Sequence, residues 1–334
     1  MKKINILGVG AALVDQQFSV EDSLLKDLQL NKGSMDLKDQ ETQEQTYKKL
    51  THLYGSSKDA CGGSSTNTVY AASILGSKCS FIGKVADDVN GNFYVDNLNK
   101  ANIKNKCMSS DQGVSGNCLV MVSPDAERTM STFLGISSEL KISDLDEDMI
   151  KEAETVYLEA YLVSSDQCFT TTKRIIEIAQ KNNTKIAISL SDSFIVSSFK
   201  DRLLEWMENE IDYLFCNEEE AKAFSNSETI ENAEMELKKF SKTSFITLGK
   251  DGAIVVSENN KDKIDGFLAD AIDTNGAGDM FAGAVLYKLS KGYENKISAS
   301  FGCFLASKGV ENFGPRLPDE DYIKNEKLFE KYKK

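Results

Sequence analysis

The sequence predicts an α/β protein, with a central, mostly parallel sheet flanked by helices and a small β lid. Two observations predict this class. Short β-branched segments recur along the chain, and from about residue 150 they alternate with segments of helical spacing, which is typical of a parallel sheet covered on both faces. Two other stretches, near residues 15–51 and 103–135, do not follow this alternation. They predict a separate small element at the edge of the sheet.

The core strands are predicted from runs rich in Val, Ile, Leu and Phe, at residues 4–9, 80–85, 118–122, 155–162, 185–190, 213–216, 245–248 and 253–256. Ile175, Ile176, Ile178 and Ala179 repeat at helical spacing, and Asn182-Asn183 stops that helix before the next strand. A similar apolar spacing precedes the strand at 245–248.

The lid is predicted from polarity and strand spacing. Residues 15–51 are polar and uneven, while 116–123 and 128–134 are two short strands joined at Ser123-Pro124-Asp125. We therefore expect residues 1–14, 52–102 and 136–334 to form the α/β core, and residues 15–51 and 103–135 to form the lid.

Composition excludes several classes of protein. The 334 residues include 39 Lys+Arg and 52 Asp+Glu, so the net charge is −13, and such a surface repels nucleic acid. No segment reaches the roughly 18 apolar residues of a membrane span. Seven scattered cysteines without a C-x-x-C pair predict reduced thiols and a cytoplasmic protein. The single histidine, His52, excludes a His-rich metal site, so an enzyme of this sequence would rely on carboxylates, backbone amides and a bound ion.

The strongest chemical signal is the run Asp273-Thr274-Asn275-Gly276-Ala277-Gly278-Asp279, which leads into an apolar helix. The Gly-Ala-Gly turn directs free backbone amides at one point, where the helix dipole also favours an anion. A carboxylate at Asp279 is suited to accept a proton from an attacking hydroxyl. The alternative is a helix cap after a tight turn, and the second acidic residue, Asp273, favours the catalytic interpretation.

Two common phosphate-binding motifs are absent. A Walker A loop would need a glycine where Ser244 stands and Ser or Thr where Asp251 follows Gly249-Lys250. A Rossmann fingerprint would need glycine at position 13, which is leucine.

A second signal is Gly62-Gly63-Ser64-Ser65-Thr66-Asn67, which also leads into a helix. Paired glycines let a ligand approach the backbone, and the polar side chains suit a substrate rich in hydroxyl groups. A glycine turn with a Ser/Thr helix cap is the alternative.

These motifs, together with Phe81-Ile82-Gly83-Lys84-Val85-Ala86-Asp87-Asp88 and Gly91, resemble the ribokinase-type (PfkB) family of carbohydrate and nucleoside kinases along essentially the whole chain. Lys32-Gly33-Ser34-Met35, the segment 128–135, the segment 189–194 and Gly314-Pro315-Arg316 are similar to its bacterial adenosine-kinase-like branch. The resemblance implies a ribokinase-like three-layer sandwich.

The resemblance also implies roles. Asp279 would be the catalytic base, Gly276, Ala277 and Gly278 the anion hole, and Arg128 a lid residue that reaches the γ-phosphate of ATP. The implied substrate-binding residues are Asp15, Gly62, Gly63, Asn67 and Asn275. The implied ATP-binding residues are Asn217, Thr247, Gly249 and Gly252. Glu220 would hold Mg²⁺ through water, and Asp273 and Thr274 match positions that hold a monovalent cation such as K⁺ in some relatives.

Each of these side chains also has a structural alternative. Asn217 to Glu220 could be the charged first turn of a helix, Thr247 and Gly249 a strand-to-turn junction, Asp15 a cap and Arg128 a surface arginine. One position departs from the adenosine-kinase-like pattern, because Gly10 is followed by Ala11 where those sequences commonly have Asn.

The sequence thus predicts an ATP-dependent kinase that phosphorylates a primary hydroxyl of a small nucleoside or sugar, with adenosine first and ribose or fructose next. We expect a monomer or homodimer that binds neither nucleic acid nor membrane. A catalytically silent nucleotide- or sugar-binding regulator and an NAD-binding oxidoreductase are the alternatives from other classes. The intact Asp279 argues against the first, and the missing third glycine argues against the second.

Overall fold

The apolar strands of the sequence lie side by side in one large sheet. The structure, a computed structural model, describes residues 2–109, 112–125 and 127–332. Residues 1, 333 and 334 of the predicted core and 110, 111 and 126 of the predicted lid are outside this description. Within the described ranges the large sheet has nine strands, in the order β14 (Lys261–Ile264), β13 (Ala253–Ser257), β12 (Ser241–Thr247), β11 (Ile211–Asn217), β10 (Lys185–Ser189), β9 (Ala153–Glu159), β1 (Ile4–Val9), β5 (Cys79–Val85) and β6 (Lys104–Met108).

The sheet is mostly parallel, as predicted. All neighbouring pairs from β12 to β6 run parallel, and only the β12–β13 and β13–β14 pairs are antiparallel. The carboxyl ends of the parallel strands therefore meet along one edge, which is where ligands bind in such sheets.

Helices cover both faces of the large sheet, because successive strand residues point to opposite faces. On β1, Ile6 joins one apolar core and Leu7 joins the other. The first core contains α3 (Ser64–Ile74), α4 (Val89–Lys100), α11 (Ala277–Ser290), α12 (Asn295–Gly309) and α13 (Asp319–Tyr332). The second contains α5 (Glu147–Glu152), α6 (Asp166–Lys181), α7 (Ser193–Ser198), α8 (Lys200–Trp206), α9 (Glu218–Ser225) and α10 (Ile230–Leu237).

Helix α6 shows how local sequence determines these bounds. The Ser165 side chain accepts a hydrogen bond from the backbone amide of Cys168, which caps the first turn. Ile175 and Ile178 are buried on one face. The helix ends at Lys181, and Asn183 then adopts a left-handed conformation with φ of 52°. The predicted stop at the two asparagines is confirmed.

A second, smaller sheet lies over the carboxyl edge of the large one. Its described strands are, in order, β3 (Met35–Leu37), β8 (Arg128–Gly135), β7 (Ser115–Val122), β2 (Leu13–Ser19) and β4 (Lys58–Cys61). Helices α1 (Asp22–Asp27) and α2 (Gln40–Tyr54) accompany it, and Phe18, Leu24, Leu50, Leu119 and Met121 belong to a separate apolar cluster. The small sheet thus has its own core.

The small sheet differs from the predicted lid at two strands. Residues 104–108 pair with β5 at the edge of the large sheet, although the predicted lid includes them. Residues 58–61 pair with β2 in the small sheet, although they fall in the predicted core. Strand β9 also ends at Glu159 rather than at residue 162, because 160–164 turn into a 3-10 helix.

Candidate active site

Two cavities meet between the sheets at the N-terminus of α11. The larger, of about 350 Å³, is lined by residues of both sheets, including Asp15, Met130 and Glu159. The smaller, of about 170 Å³, is lined from the large sheet and its helices, including Thr247 and Phe281. Six of the described residues line both cavities: Ser64, Ser191, Asn217, Glu220, Gly278 and Asp279. This arrangement offers two ligands adjacent places with Asp279 between them.

The turn before α11 leaves backbone amides free. Gly276 has a φ of 70°, and a Cβ there would lie 2.6 Å from Pro315, so only glycine fits. The amides of Gly276, Gly278 and Asp279 donate to no acceptor within the described residues, whereas the amide of Ala277 donates to the carbonyl of Thr274 at 3.3 Å. Three free amides at a helix N-terminus form an anion-binding site.

Asp279 lies in the first turn of α11, where two side chains of α3 hold its carboxylate. The Ser64 hydroxyl donates to Oδ1 at 2.6 Å, and the Asn67 amide donates to Oδ2 at 3.1 Å. Burial raises the pKa of Asp279 above its ordinary value, while these two hydrogen bonds and the charge of Arg316 act in the opposite direction. A carboxylate held in this way is both oriented and able to accept a proton.

The predicted substrate aspartate packs against the paired glycines. A Cβ on Gly62 would lie 2.0 Å from Oδ1 of Asp15. Gly63 has a φ of 91°, and a Cβ there would lie 2.4 Å from the carbonyl oxygen of Ala11. Burial raises the pKa of Asp15 to about 7, although Arg316 and Arg128 lower it. Gly62 is therefore required for Asp15 to occupy the cavity wall, and Gly63 is required for the turn to pass close to Ala11.

Asn67 and Asn275, the other predicted substrate ligands, line the larger cavity. Asn67 is buried, and its side chain binds Asp279 and Arg316. The backbone amide of Asn275 donates to Oδ1 of Asp273 at 3.0 Å.

The two residues of the predicted cation site differ in their surroundings. Asp273 is buried, and its Oδ2 accepts hydrogen bonds from Arg128 and from the amide of Gly314, the latter at 2.7 Å. Thr274 is exposed and lines the larger cavity. Arg128, which begins β8, forms an ion pair with Asp273.

Asn217 and Glu220 form a capping box at the start of α9. The Asn217 side chain donates to Oε1 of Glu220 at 2.7 Å, the Asn217 backbone amide donates to Oε2 at 3.0 Å, and the Glu220 amide donates back to Oδ1 of Asn217 at 2.8 Å. Asn217 to Glu220 thus begin a helix, as the structural alternative predicts. Both Asn217 and Glu220 also line the two cavities. Burial raises the pKa of Glu220 to about 7.

The remaining predicted nucleotide residues fall into two groups. Thr247 lines the smaller cavity at the end of β12. Gly249 and Gly252 form the turn between β12 and β13 and do not line either of the two cavities, as far as the described residues show. Gly252 has a φ of 96°, and a Cβ there would lie 2.0 Å from the carbonyl of Ile264.

Sequence reasoning did not identify Glu159, which ends β9 at the cavity. The side chain is fully buried, and it accepts hydrogen bonds from the amides of Ala11 at 2.7 Å and Ser65 at 2.6 Å. Burial raises the pKa of Glu159 to about 7. The sequence contains one signal for this residue, a glutamate at the carboxyl end of an apolar parallel strand, where ligands bind in such sheets.

Comparison with known proteins decides the family. Residues 34–321 match the pfkB family of carbohydrate kinases.

The chain belongs to the pfkB family of carbohydrate kinases. It is therefore a phosphotransferase with an alcohol group as acceptor. It is similar to an adenosine kinase of Saccharomyces cerevisiae, with 27% identity over 79% of this chain and 81% of the yeast protein. It is also similar to a probable fructokinase-5 of Arabidopsis thaliana, with 26% identity over 70% of this chain and 74% of the plant protein.

Among solved structures, the adenosine kinase from Sinorhizobium meliloti matches this pfkB-family chain with a TM-score of 0.91 and 28% identity, covering 98% of this chain and 99% of the other. The predicted ribokinase-like fold is confirmed. Among the described residues, no helix has both the length and the apolar character needed to span a membrane.

Proposed function

We propose that this pfkB-family kinase transfers the γ-phosphate of ATP to the primary hydroxyl of a nucleoside, with adenosine as the preferred acceptor. The observation that carries the proposal is the position of Asp279 at the junction of two cavities, beside the free amides of Gly276 and Gly278. The acceptor occupies the larger cavity and the phosphates of ATP enter the smaller one.

The reaction is an in-line displacement. The acceptor's hydroxyl oxygen attacks the γ-phosphorus, its proton passes to Asp279, and the bond from phosphorus to the β,γ-bridging oxygen breaks to release ADP. The free amides stabilise the negative charge on the transferring group. Arg128 adds a positive charge to the same region.

Mg²⁺ fits this site in an indirect role. The two oxygens of Glu220 already accept hydrogen bonds from Asn217, and no group of three or more His, Cys, Asp or Glu side chains suitable for a metal occurs among the described residues. Glu220 would therefore hold the ion through water, with ATP oxygens as its other ligands. When bound, Mg²⁺ neutralises phosphate charge.

The larger cavity favours a nucleoside over a free sugar. Asp15 and the Gly62-Gly63 turn provide a polar end suited to ribose hydroxyls. The wall beyond it contains apolar side chains from the small sheet and α7, among them Leu13, Met35, Leu37, Met130, Leu134 and Ile195. An aromatic base would cover this apolar wall, whereas ribose or fructose alone would leave it in contact with water.

The small sheet is proposed to close over the acceptor as a lid. It contributes Asp15, Met130 and Arg128 to the site while retaining a separate core, so it can move as a unit. Closure would exclude water, which competes with the acceptor for the γ-phosphate.

The decisive experiment combines an acceptor panel with a variant of the base. ADP release should be fastest with adenosine among nucleosides, ribose and fructose. Asp279→Asn should keep its fold and ATP affinity but lose several orders of magnitude in kcat, because the proton acceptor is removed. Near-normal turnover of this variant would exclude Asp279 as the base, and equal activity with fructose would overturn adenosine.

A further inference from the structure

The loop between α12 and α13 contacts the active site at four consecutive residues. Each residue contacts a different part of it: the Phe313 ring lies 5.6 Å from the Arg128 guanidinium, the Gly314 amide donates to Asp273 at 2.7 Å, Pro315 packs against Gly276, and Arg316 donates to Asn67 at 2.9 Å. None of these four residues has a role in the mechanism above.

Arg316 is the charged member of this loop and is held from three sides. Its Nε donates to Oδ1 of Asn67 at 2.9 Å, and its Nη1 donates to Oδ1 of Asn97 on α4 at 2.8 Å. Its guanidinium carbon lies 4.0 Å from the centre of the Tyr70 ring. A planar guanidinium makes such a set of contacts, and an ammonium group does not.

The contact with Arg316 determines which way the Asn67 amide faces. An asparagine amide presents an acceptor on one side and two donors on the other. Since Arg316 binds the Oδ1 of Asn67, the Nδ2 is directed to the carboxylate of Asp279, where it donates at 3.1 Å. With the amide reversed, two oxygens would face each other across a buried contact, which is unfavourable.

We propose that Arg316 is a positioning residue for the catalytic base, acting through Asn67, which it holds with its NH₂ group toward Asp279. This inference rests on the proposed role of Asp279. It makes the C-terminal loop part of the catalytic apparatus, although Arg316 lies 37 positions beyond the base in sequence.

Electrostatics gives the proposal a specific readout. The Asn67 hydrogen bond and the charge of Arg316 both lower the pKa of Asp279, against the raising effect of burial. The other titratable groups coupled to Asp279 are Asp15, Glu159, Glu220, Tyr157 and Tyr161. Loss of the Asn67 donor should therefore move the acid limb of the kcat profile to higher pH.

The test is a double-mutant cycle between Arg316→Lys and Asn67→Ala. Arg316→Lys keeps the charge but removes the fork that holds Asn67, so kcat should fall on the order of 10- to 100-fold, with KM for ATP unchanged and the acid limb shifted to higher pH. In the Asn67→Ala background the same substitution should cause little further loss, because the residue through which it acts is absent.

Two results would overturn the proposal. One is a loss of kcat in the double variant equal to the product of the losses in the two single variants. The other is an acid limb that does not move in an Arg316→Lys protein that is folded. Arg174→Lys is the matched control, since that arginine pairs with Glu147 and Glu177 on the surface. If Arg316→Lys fails to fold, Asn97→Ala decides instead: it removes one anchor of the guanidinium from a half-buried position and should give a smaller loss that Asn67→Ala again suppresses.

The outcome is separable from that of the proposed function. If Asp279→Asn retains turnover, the base assignment fails whatever the cycle shows. If Asp279→Asn is inactive while the cycle is multiplicative, the function stands and only the role of Arg316 is removed.

Discussion

Arg128, the first residue of β8 in the small sheet, forms an ion pair with the buried carboxylate of Asp273, just before the anion-binding turn. The other oxygen of Asp273 accepts the amide of Asn275. The pair joins the small sheet to the catalytic loop. It places a guanidinium on a carboxylate that matches a monovalent-cation position of some relatives. Arg128 donates to Asp273 through Nη2, so its other N–H groups can contact a phosphate while this ion pair is kept.

The first prediction concerns this carboxylate and monovalent cations. Because Arg128 already neutralises Asp273, turnover of the unmodified kinase should be the same in K⁺ and in tetramethylammonium at equal ionic strength. Arg128→Met should lower kcat and make the remaining activity depend on K⁺, since the buried carboxylate then lacks a counter-ion. Initial rates of ADP release in the two salts measure both effects.

Strong activation of the unmodified enzyme by K⁺ would contradict this prediction, because it would require the cation to compete with Arg128. Arg202→Met is a suitable control, since Arg202 pairs with Asp166 at the surface and does not line either cavity.

The second prediction concerns a buried lysine far from the cavities. Lys288 on α11 is only 1% exposed, and it forms ion pairs with Glu326 at 3.2 Å and Glu330 at 2.6 Å on α13. Lys288→Met would leave these carboxylates without the cation that holds α13 against α11. Because Glu326 and Glu330 remain partly exposed to water, we expect a loss of about 1–3 kcal/mol in the free energy of unfolding, the range for hydrogen bonds to charged groups, with kcat at 25 °C unchanged.

Thermal unfolding and ADP release measure these two quantities on the same sample. Lys239→Met removes an exposed pair with Glu236 and should change the melting temperature very little. Equal melting temperatures for the two variants would show that Lys288 does not anchor the C-terminal helix.

The sequence predicts the large sheet well because parallel strands with both faces buried are continuous apolar runs. The turn at Gly276–Gly278 is also determined by local sequence. The amides of Gly276 and Gly278 are free, as the pattern predicts, whereas that of Ala277 donates to Thr274. Local patterns do not predict which side chains from distant parts of the sequence contact one another in the site. Ser64 and Asp279 are 215 positions apart, and only the packing of α3 against α11 brings them together.

The same reasoning explains the misplaced strands and the missed glutamate. Residues 104–108 and 58–61 form short strands that pair with β5 and β2, respectively. This pairing determines the sheet to which each strand belongs, and the local pattern of apolar residues does not predict it. Glu159 lies inside an apolar run, where a strand pattern predicts continuation to residue 162. Its burial is stabilised by two backbone amides that are distant in sequence, Ala11 after β1 and Ser65 in the first turn of α3, so its role emerges only from the tertiary structure.

The last prediction concerns pH. Asp279 acts as a base only when ionised, and burial raises its pKa above that of an ordinary aspartate. As pH falls through this raised pKa the carboxylate is protonated, so kcat/KM should fall on the acid side at a pH above the usual aspartate range. Three other carboxyl groups of the site, Asp15, Glu159 and Glu220, each have a pKa of about 7. The acid limb of the kcat/KM profile therefore has an apparent pKa that belongs to the four carboxyl groups together.

Glu159→Gln separates the members of this group. The charge of Asp279 raises the pKa of Glu159. Because repulsion between two like charges is reciprocal, removing the charge at Glu159 should lower the pKa of Asp279 and move the acid limb to lower pH. The maximal rate should also fall. Ala11 and Ser65 donate to different oxygens of Glu159, and in glutamine one of these oxygens is replaced by an NH₂ group, which cannot accept. Profiles of kcat/KM for the acceptor from pH 5 to 9, at saturating ATP, measure the shift, and the titration of ATP itself is common to both proteins. An acid limb that stays in place or moves to higher pH would show that Glu159 is not coupled to the base.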